Sequence, residues 1–183
     1  MKGTEKKREI RHKAIALFKE KGFENVTVIE IAKASNISKN TFYYYFDSKD
    51  DIIKAQFDPT KVDINVLKEK TDTFLTCKEK ILFLFTSICD YYEEIGEEVV
   101  KRALFLNLTE QLINTRTGKD RHPFFYFLEE ICKEMNEKEL ASTLQCLFFG
   151  CLYIWATAST KRSLKTMVLP KMECVLKNYT SNV

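Results

Sequence analysis

The sequence predicts an all-α protein, with an N-terminal three-helix head over residues 1–57 and a multi-helix body over residues 58–183. Three observations carry this. Gly numbers only 5 and Pro only 3 in 183 residues, too few for the tight turns of a sandwich or barrel. Apolar residues recur at three- and four-residue spacing in one segment after another. Capping and stop signals bracket those segments. With 45% hydrophobic residues, 14 Phe, 8 Tyr and 1 Trp, the chain can bury a sizeable core, which excludes a largely disordered protein.

The first helix is read over residues 5–21. Ile10, Ala14, Leu17 and Phe18 form one stripe, Lys19 and Lys21 occupy the last turn, and Gly22-Phe23 reads as a left-handed stop with an apolar residue packing back. Thr27 and Glu30 have capping-box spacing, and Val26 and Ile31 fit a hydrophobic staple, so a second helix opens at Thr27 and runs to about Ala34. Ser35-Asn36-Ile37 breaks it, and Asn tolerates the left-handed region such a turn needs. Ser38 caps a third helix, Lys39 to Tyr45, and Ser48 with Asp51 starts a fourth that Asp58-Pro59 stops.

Longer helices are expected over residues 62–75, 77–95, 97–114 (Val99, Ala103, Leu104, Leu108, Leu112), 124–135 and 137–160, with a polar loop from Gly118 to Pro123. Pro170 is expected near the N-terminus of a last helix, where its missing N–H costs nothing.

Residues 1–57 carry 12 Lys/Arg and 8 Asp/Glu; residues 58–183 carry 17 and 18. A basic head on a near-neutral body suggests an anionic partner for the head, the alternative being a solvated charged surface. The charged start is no signal peptide, and the longest apolar run, Cys146–Ala156, falls short of the ~20 residues of a spanning helix, so a soluble, cytoplasmic protein with no membrane partner is expected. The six cysteines form no C-x-x-C and have only two histidines to help them, so no metal or cofactor is expected; they read as small buried hydrophobes or, alternatively, a redox-sensing thiol. Without a phosphate-binding loop, a G-x-S-x-G, an H-E-x-x-H or a Cys/His cluster, no catalytic residue is expected either.

Residues 27–46 have the form of a helix-turn-helix, whose second helix enters a DNA major groove with its N-terminal residues at base edges. Ser38, Lys39, Asn40 and Thr41 gather at that end: Lys39 can meet a phosphate or guanine edge, and Asn40 can pair with adenine. The hydroxyls of Tyr43, Tyr44 and Tyr45 can reach a backbone, while Phe42 and Phe46 are spaced as a core pair. The alternative is a small helical bundle with a tyrosine-rich surface.

The run from Thr27 to Ile52, T-V-x-x-I-A-x-A-S-N-I-S-K-N-T-F-Y-Y-Y-F-D-S-K-D-D-I, resembles the DNA-binding head of the tetracycline-repressor (TetR) family of bacterial regulators, as does the upstream series Ala14, Leu17, Phe18, Gly22, Phe23. Asn36 and Ile37 replace the turn Gly and Val of that pattern. The resemblance covers residues 8–57. It implies phosphate contacts from Thr27, Tyr43 and Lys49 and groove contacts from Ser38, Lys39, Asn40, Thr41 and Tyr44, with Phe46 in the core.

It further implies a helical body that binds a small effector and a homodimer through the last two helices, hence a repressor on a palindromic double-stranded operator. A regulator acting through protein contacts, or as an activator, is the alternative. In the body, Phe85, Tyr92, Phe105, Phe127, Phe148 and Trp155 are candidate lining for a small apolar or aromatic effector, core packing being the other reading. Residues 140–158 are apolar on more than one face, as a helix partly covered by a second subunit would be.

Overall fold

The computed structural model describes residues 2–57, 64–110, 122–137, 139–158 and 162–179. Among them are ten α-helices: α1 (Lys2–Lys21), α2 (Val28–Ala34), α3 (Lys39–Tyr45), α4 (Lys49–Gln56), α5 (Ile64–Thr71), α6 (Cys77–Ile95), α7 (Glu97–Glu110), α8 (Pro123–Glu134), α9 (Leu140–Thr157) and α10 (Leu164–Leu176), with a 3-10 turn over Lys177–Tyr179. The expected stop at Asp58-Pro59, Leu112 and residues 118–121 of the polar loop lie outside the described residues.

The helices sort into two compact units. The first is Met1–Asp58 with Ile95–Ile113, so α7 belongs with α1–α4. Its core is built from Ile10, Ala14 and Phe18 of α1, Ile31 and Ala32 of α2, Phe42 and Phe46, Ile52 and Ile53 of α4, and Val99, Val100, Ala103 and Leu106 of α7. Gly22 ends α1 at φ +82°, a left-handed backbone, and Phe23 folds back to place its ring 4.8 Å from that of Phe18. Arg11 donates from Nη1 to the Ala55 carbonyl at 2.8 Å, tying α1 to the end of α4. On α7 the buried face runs through Leu106 rather than Leu104, because residues 99, 103 and 106 keep a tighter three- and four-residue register.

The second unit is Pro59–Glu94 with Asn114–Val183, holding α5, α6, α8, α9 and α10. Helix α9 is long and apolar enough to cross a membrane by length and composition, yet Leu140, Leu144, Phe148, Cys151, Leu152 and Trp155 are buried inside the unit, as in a core helix. Pro170 corrects the sequence expectation: α10 opens six residues earlier, with Ser163 as cap, and Pro170 sits inside it. A buried Leu164–Val168–Met172–Leu176 stripe outweighs the one backbone bond that proline removes. Beside the proline, the Met167 carbonyl accepts from Lys171 Nζ at 2.8 Å and from Cys151 Sγ at 3.8 Å. Glu93 completes the helix start, accepting from the Ser163 hydroxyl at 2.6 Å and the Lys165 N–H at 2.9 Å, while Lys165 pairs with Asp90.

His122 caps α8, its Nδ1 accepting the Phe124 N–H at 3.3 Å. Burial pushes its pKa below the usual 6.5. A group depressed in the folded state contributes stability that is full above the unfolded value and lost as pH falls below it. Denaturant melts should therefore show the second unit weakening as pH drops from about 7.5 to about 5.5, and His122→Asn, which keeps a capping acceptor without a titrating ring, should remove that part of the loss. An identical pH response in the variant would refute the role.

Candidate nucleic-acid interface

The interface is assembled from local signals. Thr27 forms a full capping box with Glu30: the Thr27 N–H donates to Glu30 Oε2 at 2.9 Å, and Thr27 Oγ1 accepts the Glu30 N–H at 3.2 Å. Hydrogen bonds from the Thr27 backbone, then from Lys21 and the Thr27 hydroxyl, hold the Glu30 carboxyl down to about 2. Helix α2 ends in a six-to-one turn, with the Ile37 N–H on the Ala32 carbonyl at 3.0 Å and the Asn36 N–H on Lys33 at 3.1 Å. Asn36 takes φ +52°, so the substitution for the pattern's glycine keeps the left-handed step. Ser38 then caps α3, accepting the Thr41 N–H at 3.0 Å.

Helix α3 is anchored by Phe42, fully buried, and by Phe46 after its end, their centroids 6.0 Å apart. That anchoring turns Lys39, Asn40, Tyr43 and Tyr44 outward on one face. Tyr44 is 81% exposed and Tyr43 45%, a conspicuous amount of aromatic surface to leave in water. Lys39 Nζ stands 6.0 Å from the Tyr43 ring.

The structure thus brings Ser38, Lys39, Asn40, Tyr43 and Tyr44 together. Thr41 is half-buried, its hydroxyl 2.8 Å from that of Ser38, and the Thr27 hydroxyl donates to Glu30 at 3.0 Å. Lys49 is placed differently: its ammonium donates to the carbonyls of Phe23 at 2.9 Å and Val26 at 2.7 Å and lies 4.5 Å from the Phe23 ring. Two of its three protons are engaged in holding α4 to the segment before α2.

Sequence reading missed two supports. Lys6 donates to the Ser35 carbonyl at 3.0 Å, bracing the turn from α1. Arg102 of α7 grips Asp50 through Nε and Nη2, both at 2.7 Å, and packs over Phe23 at 4.8 Å. A contact between residues 52 apart has no local signature; the charged start of the chain was the available signal for Lys6.

Of the candidate effector residues, Phe85, Tyr92 and Phe148 are brought together in the second unit, Phe148 lying 5.6 Å from Phe85 and 5.9 Å from Tyr92. Phe125, 6.4 Å from Phe148, and Phe124, 5.8 Å from Phe85, extend the cluster. Phe127 and Trp155 are buried in the same unit, Phe127 beneath Lys68 at 5.1 Å. Phe105 is not among them: it lies on α7 in the first unit, 53% exposed, under the Arg102 guanidinium at 4.9 Å. Cys89 and Cys132 are buried, which pushes both thiols up to about 12, while Cys146 and Cys174 are exposed.

Residues 10–55, which run from within α1 through the helix-turn-helix and nearly all of α4, match the model of bacterial regulatory proteins of the tetR family. Those residues form a tetR-family DNA-binding head, and the chain is a DNA-binding transcriptional regulator. The biofilm operon icaADBC HTH-type negative transcriptional regulator IcaR of Staphylococcus aureus is 29% identical over 166 residues, 85% of this chain and 86% of IcaR. The fold matches the tetR-family repressor FadR of Thermus thermophilus, solved with lauroyl-CoA, with a TM-score of 0.66 at 20% identity over 97% of this chain and 96% of FadR. It also matches a tetR-family regulator of Mesorhizobium loti with a TM-score of 0.66 at 19% identity, over 97% and 98% of the two chains.

Proposed function

We propose that this regulator is a cytoplasmic repressor of the tetR family, working as a homodimer on a palindromic operator and released by a small apolar or aromatic effector. The observation that carries the reading is the outward face of α3, where Lys39, Asn40, Tyr43 and Tyr44 stand exposed on a helix fixed by buried Phe42. Lys39 and Asn40 supply base-edge donors, with Ser38 and Tyr44 beside them as groove contacts, and Tyr43 supplies a phosphate contact. IcaR, a negative regulator, supports the sign of the effect.

One such helix reads too few bases, so two copies on half-sites about 34–36 Å apart are needed. The α9 face of Cys146, Gly150, Tyr153 and Ile154 is exposed, with Tyr153 and Ile154 each about half open to solvent, and suits a second copy. The aromatic cluster around Phe148 suits an apolar effector, and FadR, on the same fold, carries an acyl chain as lauroyl-CoA. An effector that binds one conformation of the body better lowers DNA affinity by that difference.

The test is binding to duplex DNA from upstream of the protein's own gene. Affinity should fall steeply with salt, and Lys39→Ala and Tyr43→Ala should each weaken it by about 1–3 kcal/mol, roughly 5- to 150-fold. Salt-indifferent binding, or an unchanged shift in both variants, would refute the assignment of the head.

A further inference from the structure

The helix-turn-helix is nearly neutral. Residues 27–46 hold two lysines and one glutamate, and residues 14–57 hold six Lys/Arg against six Asp/Glu. The entire excess positive charge of the first 57 residues lies in residues 2–13, with six Lys/Arg against two glutamates. Yet affinity for duplex DNA comes largely from cations that neutralise phosphates.

The structure sets that charge beside the recognition helix. Lys6 Nζ reaches the Ser35 carbonyl in the turn before α3, and Lys7 Nζ lies 5.0 Å from the ring of Phe46 just after it. The first two turns of α1 therefore touch both flanks of α3. Lys7 and Arg8 are exposed, whereas Lys6 is half-buried and also paired with Glu9 at 2.9 Å, and Arg11 is committed to Ala55. Cations near a helix start oppose the helix dipole, so their placement does not serve the stability of α1.

We propose that Lys7 and Arg8, at the start of α1, form a basic edge that grips the phosphate backbone flanking the groove read by α3, contributing affinity without sequence preference. The proposal rests on the reading of the head as DNA-binding. Lys6 holds the edge in place through Ser35.

The test compares the wild type, Lys7→Gln/Arg8→Gln and Lys13→Gln, an exposed position about 240° round the helix from Lys7. The probes are duplex from upstream of the protein's own gene and a scrambled duplex of equal composition. The slope of log affinity against log salt should become shallower in the double variant by about 0.9 for each phosphate contact removed. Both duplexes should lose affinity by the same factor, the melting temperature should not fall, and Lys13→Gln should match the wild type. An unchanged slope, a loss confined to the upstream duplex, a lowered melting temperature, or an equal effect of Lys13→Gln would overturn the basic edge alone. A wild type that ignores both duplexes would overturn the DNA-binding reading with it.

Discussion

Phe148→Ala is expected to lower the unfolding free energy of the second unit by about 3–5 kcal/mol. The ring is fully buried on α9 and packs against Phe85, Tyr92, Phe125 and Phe149 at centroid distances of 5.6–6.4 Å. Truncation loses its transfer energy and leaves a void that the surrounding rings, Phe85 and Tyr92 on α6, Phe125 on α8 and Phe149 on α9, can fill only in part. At about 2–4 °C per kcal/mol for a chain of this size, the melting temperature should drop by on the order of 10 °C. Phe105→Ala, at a half-exposed ring of the other unit, is the contrast and should cost far less. If urea melts give Phe148→Ala and Phe105→Ala the same small loss, the cluster is not the core of its unit.

Arg102→Ala should destabilise the first unit by about 2–4 kcal/mol, a range set below that of a fully buried pair because both side chains keep some solvent contact. The guanidinium meets Asp50 with two parallel bonds of 2.7 Å, and the side chains are only 22% and 27% exposed. It also stacks between Phe23 at 4.8 Å and Phe105 at 4.9 Å and lies 3.6 Å from Glu24. Asp50 stands in the first turn of α4, next to Lys49, so α7 is fastened to the start of the helix that closes the head. Removing the cation strands a partly buried carboxylate beside that turn. Arg102→Lys should restore little, since an ammonium cannot reproduce the planar fork or the stacking. The measurements are urea midpoints of the single variants and of Arg102→Ala/Asp50→Asn, where additive losses would show that the two residues do not act as a pair.

The head was legible because its information is local. Thr27 with Glu30, Ser38 with Thr41 and Ser48 with Asp51 each bond within three residues, and Asn36 announces its own backbone conformation. Alternation of buried and exposed residues then fixed which side of α3 faces water. What escaped was long-range. Nothing near Arg102 says that α7 joins α1–α4, nothing near Lys49 says that its ammonium is engaged by Phe23 and Val26, and Phe105 has the same apolar character as the rings that do cluster. Pro170 misled because the local rule for proline is strong, while the stripe that overrides it spans four turns.

The chain holds a single tryptophan, and Trp155 is buried on α9 of the second unit, while Tyr43, Tyr44 and Tyr45 are the phenols of α3. The molecule thus carries an optical label native to one unit only. Light absorbed by indole alone reports on the surroundings of α9, so a small molecule that reaches the buried side of that helix would alter its emission. A duplex held by α3 meets no indole, so any spectral change it provokes at Trp155 is a signal that has travelled through the protein.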